Sequence, residues 1–363
     1  MSVTTVRDLV AAVDRIAPLA KAAEWDRVGL QIGDPDAVAG PVAVVHEVTD
    51  AVVSAAVARG IGTLVAYHPL LFTPQRRFVA GSGPGGRSYA LARAGIAVVV
   101  VHTAFDVAEG GTANALADAL GLEAIRPFGP AWPPEQVKVV TYVPSASVDL
   151  VVTAMANAGA GVIGRYTGCS FQTPGIGTFR PGPGAAPTVG TVGEQAAVDE
   201  TRIEMVAPAS AADDVVTALA AAHPYEEPAF DVFPVASGAG FVGRCGSLPT
   251  PWSLSDLSRF AGSVLATRCR IAGAPDRSVR TVAVVPGSGR SFLPAASAVA
   301  DVLVTGDVSH HAAREALDRG LAVIDAGHVP TERPGLASLY ASVSEIVDVV
   351  DLGAPDPHPW EEP

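Results

Sequence analysis

The chain has 363 residues, 49% hydrophobic and only 6% aromatic, with a formal net charge of −13. That length buries a large core with room for roughly two or three domains, and an Ala/Val/Gly-rich, aromatic-poor composition suits packed α/β layers. The acidic field, with no basic run longer than Arg76-Arg77, argues against nucleic acid as a partner.

Taken in chain order, MSVTTVRDLVAAVDRIAPLA reads as a Thr-capped amphipathic helix with charges spaced through it. It lacks the apolar stretch of a signal peptide, so a cytoplasmic protein is expected. EWDRVGLQIGDP, with Trp25, Asp26, Gly29 and Gln31, is too polar for a core strand and is placed at a cleft rim or a subunit contact. From Pro41 strands and helices alternate: PVAVVHEV, TDAVVSAAVARG, TLVAYHP, a helix ending near RAG, then IAVVVVH. Apolar runs without polar alternation mean strands covered on both faces, as in a parallel sheet, and Gly60 and Gly95 stand where helix C-caps belong.

Over residues 131–240 the order changes to a βαββαβ pattern, which predicts a ferredoxin-like α+β module. Segments 1–130 and 241–363 then form one discontinuous α/β domain. In the latter, RTVAVVP, DVLVTGD and LAVIDAGH are strands, each followed by a helix. Nowhere do roughly eighteen apolar residues run uninterrupted, so no membrane span is expected. Cys169, Cys245 and Cys269 are widely spaced and odd in number, which fits reduced thiols in packed positions.

Open α/β sheets bind ligands at the carboxyl ends of their strands. There the sequence places His68, then His102 and Asp106, then Asp307 with His310 and His311, then His328 and Glu332. That clustering points to one shared cleft. Imidazole with carboxylate is the ligand mixture of borderline divalent metals, and His102/Asp106 and His328/Glu332 each lie one helical turn apart. The competing reading makes Asp106 and Asp307 helix caps. Nucleophilic catalysis is disfavoured, because there is no G-x-S-x-G elbow and no cysteine beside a strand-end histidine. VPGSGRSF is either an anion cradle with Arg290 nearby or a tight turn with Ser288 or Ser291 as a cap.

EWDRVGLQIG, YHPLLF, VHTAFDVAEGGTANALADALGL, TGDVSHHAAREALDRGLAVIDAGHVPTE and HPYEEPAFDVFPV together resemble the Nif-three-like proteins. These are often labelled GTP cyclohydrolase I type 2 homologues or dinuclear metal centre hexameric proteins. GRYTGCSF and HPYEEPA resemble the P-II/CutA-like insert of the longer members. The resemblance implies a homohexameric toroid whose protomers hold two divalent metals, which Zn, Mn, Fe or Mg would all satisfy. It assigns His68 and Asp106 to one metal and His328 to the other, with Glu332 bridging.

The family's motif has two adjacent histidines before Pro-Leu, and the first is Tyr67 here. A phenol with a pKa near ~10 is a poor ligand for such ions. Fewer than two tightly held metals are therefore expected, with His102 compensating or positioning a ligand. The activity implied is a metal-dependent hydrolase acting on a nucleotide or phosphate ester. The alternative is a non-enzymatic regulatory or scaffold hexamer whose insert senses a small ligand, with Glu226 and Glu227 as ligands or turn caps.

Overall fold

A computed structural model describes residues 3–132, 135–235 and 240–353. Two units emerge, Met1–Pro133 with Gly240–Pro363, and Pro134–Ala239.

The first unit begins with α1 (Val6–Ile16), whose cap Thr5 accepts from the Asp8 backbone while Asp8 reaches back to Thr5, a capping box. Then come β1 (Gly29–Ile32), β2 (Val42–Val45), α2 (Asp50–Ala58), β3 (Thr63–Ala66), α3 (Gly83–Ala94), β4 (Ala97–Val100), α4 (His102–Asp106), α5 (Thr112–Ala119) and β5 (Glu123–Trp132). The sheet order is β1-β4-β3-β2, parallel through β2, β3 and β4. Every residue of β3 and β4 is buried, which explains their unbroken apolar sequence.

GLQI, read from sequence as too polar for a core strand, forms the edge strand β1 and pairs antiparallel with β4. An edge strand is covered on one side only and tolerates Gln31, whose Oε1 accepts from the Leu71 amide at 2.9 Å.

The second unit comprises β6 (Gln136–Pro144), α6 (Val148–Asn157), β7 (Phe171–Phe179), β8 (Ala196–Pro208), α7 (Ala212–Ala222) and β9 (Phe230–Val235). Its sheet order β9-β6-β8-β7 is antiparallel throughout. This is the ferredoxin-like arrangement. Val139, Val143, Ile203 and Met205 face α6 and α7 through Val151, Met155, Val215 and Leu219.

The chain then completes the first unit with β10 (Gly240–Ser253), α8 (Leu254–Val264), β11 (Arg270–Ala272), β12 (Ser278–Ser288), α9 (Leu293–Ser297), β13 (Val302–Gly306), α10 (His310–Asp318), β14 (Ala322–Asp325) and α11 (His328–Ser344). These strands and β5 form a six-stranded sheet, β11-β14-β13-β12-β10-β5. Leu339 and Val343 of α11 pack with Val42, Val65 and Val99 of the first sheet. That packing carries the start of α11 to the carboxyl ends of β2 and β3. Among the described residues, no helix is long and apolar enough to cross a membrane.

Candidate metal centre

Glu332, in the first turns of α11, is only 4% exposed. Its Oε2 accepts from His46 Nε2 at 2.8 Å. Its Oε1 lies 3.1 Å from His328 Nε2 and 3.6 Å from His68 Nε2. His46 and His68 follow β2 and β3, and His328 opens α11, so three strand-to-loop transitions converge on one carboxylate. One donor atom each from His46, His68 and Glu332 lie within 4.8 Å of one another, and this group could hold a metal ion.

Two of the imidazoles are braced from behind. His328 Nδ1 is 2.6 Å from Asp307 Oδ2, and His68 Nδ1 is 3.4 Å from Glu47 Oε1. Each ring therefore turns Nε2 inward and holds Nδ1 against a carboxylate, the second-layer pattern of histidine ligands in metal sites. His46 differs, because its Nδ1 is buried without a hydrogen-bond partner among the described residues. Imidazoles, a buried carboxylate and carboxylate-braced rings fit a borderline divalent ion.

Glu332 draws positive charge onto the rings of His68 and His328. Burial opposes ionisation of Glu332, but hydrogen bonds from His328, His46 and His68 hold its pKa well below the usual carboxylate range. His328 is raised to about 9, first by its hydrogen bond to Glu332 and against burial. Burial pulls His68 down, yet hydrogen bonds to Glu332 and Glu47 outweigh it and raise the ring to about 9. Gly287, at the end of β12, makes the carboxylate's position possible. Its φ is +62°, and a Cβ there would meet Glu332 Oε1 at 2.7 Å.

Tyr67 and Asp106 form a separate buried pair, with the phenol donating to Asp106 Oδ1 at 2.5 Å. Burial and the negative charges of Asp106 and Glu332 push Tyr67 well above its ordinary pKa, so it stays a phenol. Burial also raises Asp106, against the pull of His102 and Tyr67. Asp106 ends α4 and caps nothing, and the cap of α10 is Ser309, not Asp307.

His102 has a left-handed φ of 27°, a strained state for a residue with a side chain. Its Nδ1 meets Asp26 Oδ1 at 2.9 Å, while Asp26 Oδ2 accepts from the Thr103 amide and hydroxyl at 3.1 and 2.5 Å. Those contacts pin the ring against Tyr67 and His68, at centroid distances of 5.6 and 5.1 Å.

A family profile described as Duf34/NIF3 (NGG1p interacting factor 3) matches residues 4–353. The chain belongs to the Duf34/NIF3 family. It is 40% identical over 339 residues to the GTP cyclohydrolase 1 type 2 homolog of Mycobacterium tuberculosis, covering 90% of this chain and 88% of the relative. The corresponding Bacillus subtilis protein is 35% identical over 326 residues, covering 89% and 87%. Among solved structures, a Bacillus cereus protein related to NIF3 superposes with a TM-score of 0.62 at 33% identity, covering 96% of each chain.

Within this family member, the residues read from sequence divide by position. His68, His328 and Glu332 meet, whereas Tyr67 and Asp106 form an adjoining buried pair and half-buried His102 forms a second pair with Asp26. His310 and His311 open α10 and are exposed. His46 was missed, because PVAVVHEV reads as a strand running through it. The strand ends at Val45, so the strand-end rule that found His68 also points to His46. Arg290 lies in a 3₁₀ turn, and neither Ser288 nor Ser291 caps a helix.

Proposed function

We propose that His46, His68, His328 and Glu332 hold a divalent metal ion, and that the protein is a metal-dependent hydrolase of a nucleotide or phosphate ester. One arrangement supports this reading above all: two imidazoles, each braced by a carboxylate, turn Nε2 onto the same oxygen of a buried glutamate. When bound, a divalent ion supplies Lewis-acid polarisation and activation of water.

The chain's residues do the rest. Glu332 offers Oε1 and Oε2 to different histidines, so both of its oxygens would be available to a bound ion. Tyr67 keeps its proton and engages one oxygen of Asp106, which leaves that position short of donors and sets the load below two tightly held ions per chain. His102, with Nδ1 committed to Asp26, packs its ring beside His68 and would position that ligand. A cavity of about 730 Å³ beside His46 and Glu47, with Arg333 and Tyr340 on its wall, has the volume of a small-molecule site.

Trp25 and Phe72 lie edge to face at 6.0 Å while 54% and 50% exposed, an apolar pair that an assembly would cover. The homohexamer is part of this proposal, and a monomer by light scattering would remove it. The decisive experiment is elemental mass spectrometry on protein purified without added metal or chelator, for wild type and Glu332→Ala. About one equivalent, lost in the variant, is expected, with turnover of phosphate esters lost alongside. Wild type that refuses added Zn and Mn would end the metal reading, and a loaded protein without turnover would favour the scaffold.

A further inference from the structure

The insert contains its own cavity, of about 520 Å³, unrelated to the histidine cluster. It is an open cleft where the Gly/Pro-rich segment after β7 meets the loop between α7 and β9. Two hydrogen bonds clip these together: Thr188 Oγ1 donates to the Pro224 carbonyl at 2.7 Å, and the Ala186 amide donates to Glu226 Oε1 at 3.0 Å. Phe179 and Tyr225 meet edge to face at 5.8 Å within the lining, and Tyr142 adds a third ring.

The wall also contains Glu200, a carboxylate only 8% exposed. Among the described residues, its side chain's hydrogen bond comes from the Tyr225 hydroxyl, at 2.8 Å to Oε1. Burial, together with the hydrogen bond to Glu200 and its charge, raises Tyr225 to about 12, so the phenol remains a donor. No ion pair reaches Glu200 among the described residues. The nearest candidate by strand position, Arg202, is committed to Glu204 at 2.9 Å and to the Tyr142 hydroxyl. β7 is shaped around the acid as well, because a Cβ at Gly177 would fall 2.0 Å from Glu200 Oε2. Glu226 and Glu227 add carboxylates to the lining against the single guanidinium of exposed Arg180, a balance of two negative charges.

We infer that this cavity binds a small organic cation, an alkylammonium or quaternary ammonium group, seated between the aromatic rings and neutralising Glu200. Aromatic faces attract such cations, and a buried carboxylate without a counter-ion supplies the specific contact. A metal ion is the poorer fit. Among the described residues, the only group of three His, Cys, Asp or Glu with donor atoms within 4.8 Å is His46, His68 and Glu332. Aromatic walls also offer no ligands to a hard ion.

The test is a saturation-transfer NMR titration of the full chain with butylammonium and tetramethylammonium. Butanol and butyrate serve as the neutral and anionic controls, at up to about 10 mM, the range expected for so few heavy atoms. Both cations are expected to bind and both controls to stay silent. Glu200→Gln should weaken butylammonium by about tenfold or more, and Phe179→Leu should weaken tetramethylammonium by about threefold or more. Each variant is checked for native circular dichroism, and if Glu200→Gln does not fold, Phe179→Leu and the two controls decide. Absence of cation binding, equal binding of butanol, or affinities unchanged in the folded variants would overturn the inference. Displacement of butylammonium by Mn(II) that persists in Glu332→Ala would overturn it in favour of a metal.

Discussion

Glu332 in the α/β unit and Glu200 in the insert are carboxylates of similar seclusion, 4% and 8% exposed, in opposite company. Three imidazoles surround Glu332, whereas Glu200 meets a single phenol. A desolvated carboxylate needs partners, and the cost of lacking them grows with burial. The first site supplies compensation from its own chain and can exchange it for a metal. The second leaves the charge to whatever enters the cavity. Burial alone therefore does not separate a ligand-holding acid from a ligand-seeking one; the neighbours do.

The sharpest way to break this comparison is to neutralise each acid in turn and melt the chelator-treated protein. Glu332→Gln removes the negative charge and one of the two acceptor oxygens shared by three buried or half-buried imidazoles, and should cost about 3 kcal/mol. Glu200→Gln keeps an acceptor for Tyr225 and sheds an uncompensated charge, so its stability should stay within about 1 kcal/mol of wild type. Equal losses at the two positions would show that the neighbours do not set the difference.

Gly287→Ala comes next, because it disturbs Glu332 without touching its chemistry. With φ at +62° and a Cβ 2.7 Å from Glu332 Oε1, about 2 kcal/mol of destabilisation is expected. Metal content should fall with it, and a variant that melts like wild type would contradict the close packing of carboxylate on backbone.

A comparably small effect belongs to a third carboxylate, Asp301, which is half-buried and provides a baseline. It accepts from the Arg280 amide at 2.9 Å and from the Thr281 amide and hydroxyl at 2.8 Å each. Partial burial opposes ionisation, but those bonds hold its pKa below the ordinary value. The folded pKa lies below the unfolded one, so this stabilisation is present above the unfolded pKa and is lost as pH falls through the folded value. Asp301→Asn should cost about 1 kcal/mol at neutral pH, and the difference from wild type should close in acid. A gap that widens in acid would reverse the sign of the argument.

Much of this was legible in the sequence, for reasons that differ by residue. The parallel strands announce themselves because β3 and β4 are buried along their whole length, which leaves no polar interruption. β1 was not legible, since an edge strand with Gln31 in it breaks that pattern while still pairing with β4. His68, His328 and Glu332 followed from strand ends and helical spacing, which are local signals. His46 was hidden by one residue of strand length, and the role of Asp307 lay in a contact with His328 rather than in the helix that follows it. The Tyr67–Asp106 and His102–Asp26 pairs join residues 39 and 76 positions apart, and spacing carries no information about those.

His46 and Glu332 are separated by 286 positions. A ribosome therefore releases the whole insert and most of the last segment before the donor set can close. Until then, the nascent chain carries His46 and His68 without the carboxylate they meet in the folded protein, so ion capture by the full donor set would have to wait for α11. An ion bound by that set would clasp two segments far apart in sequence, and a product truncated before α11 would lack the means to hold it.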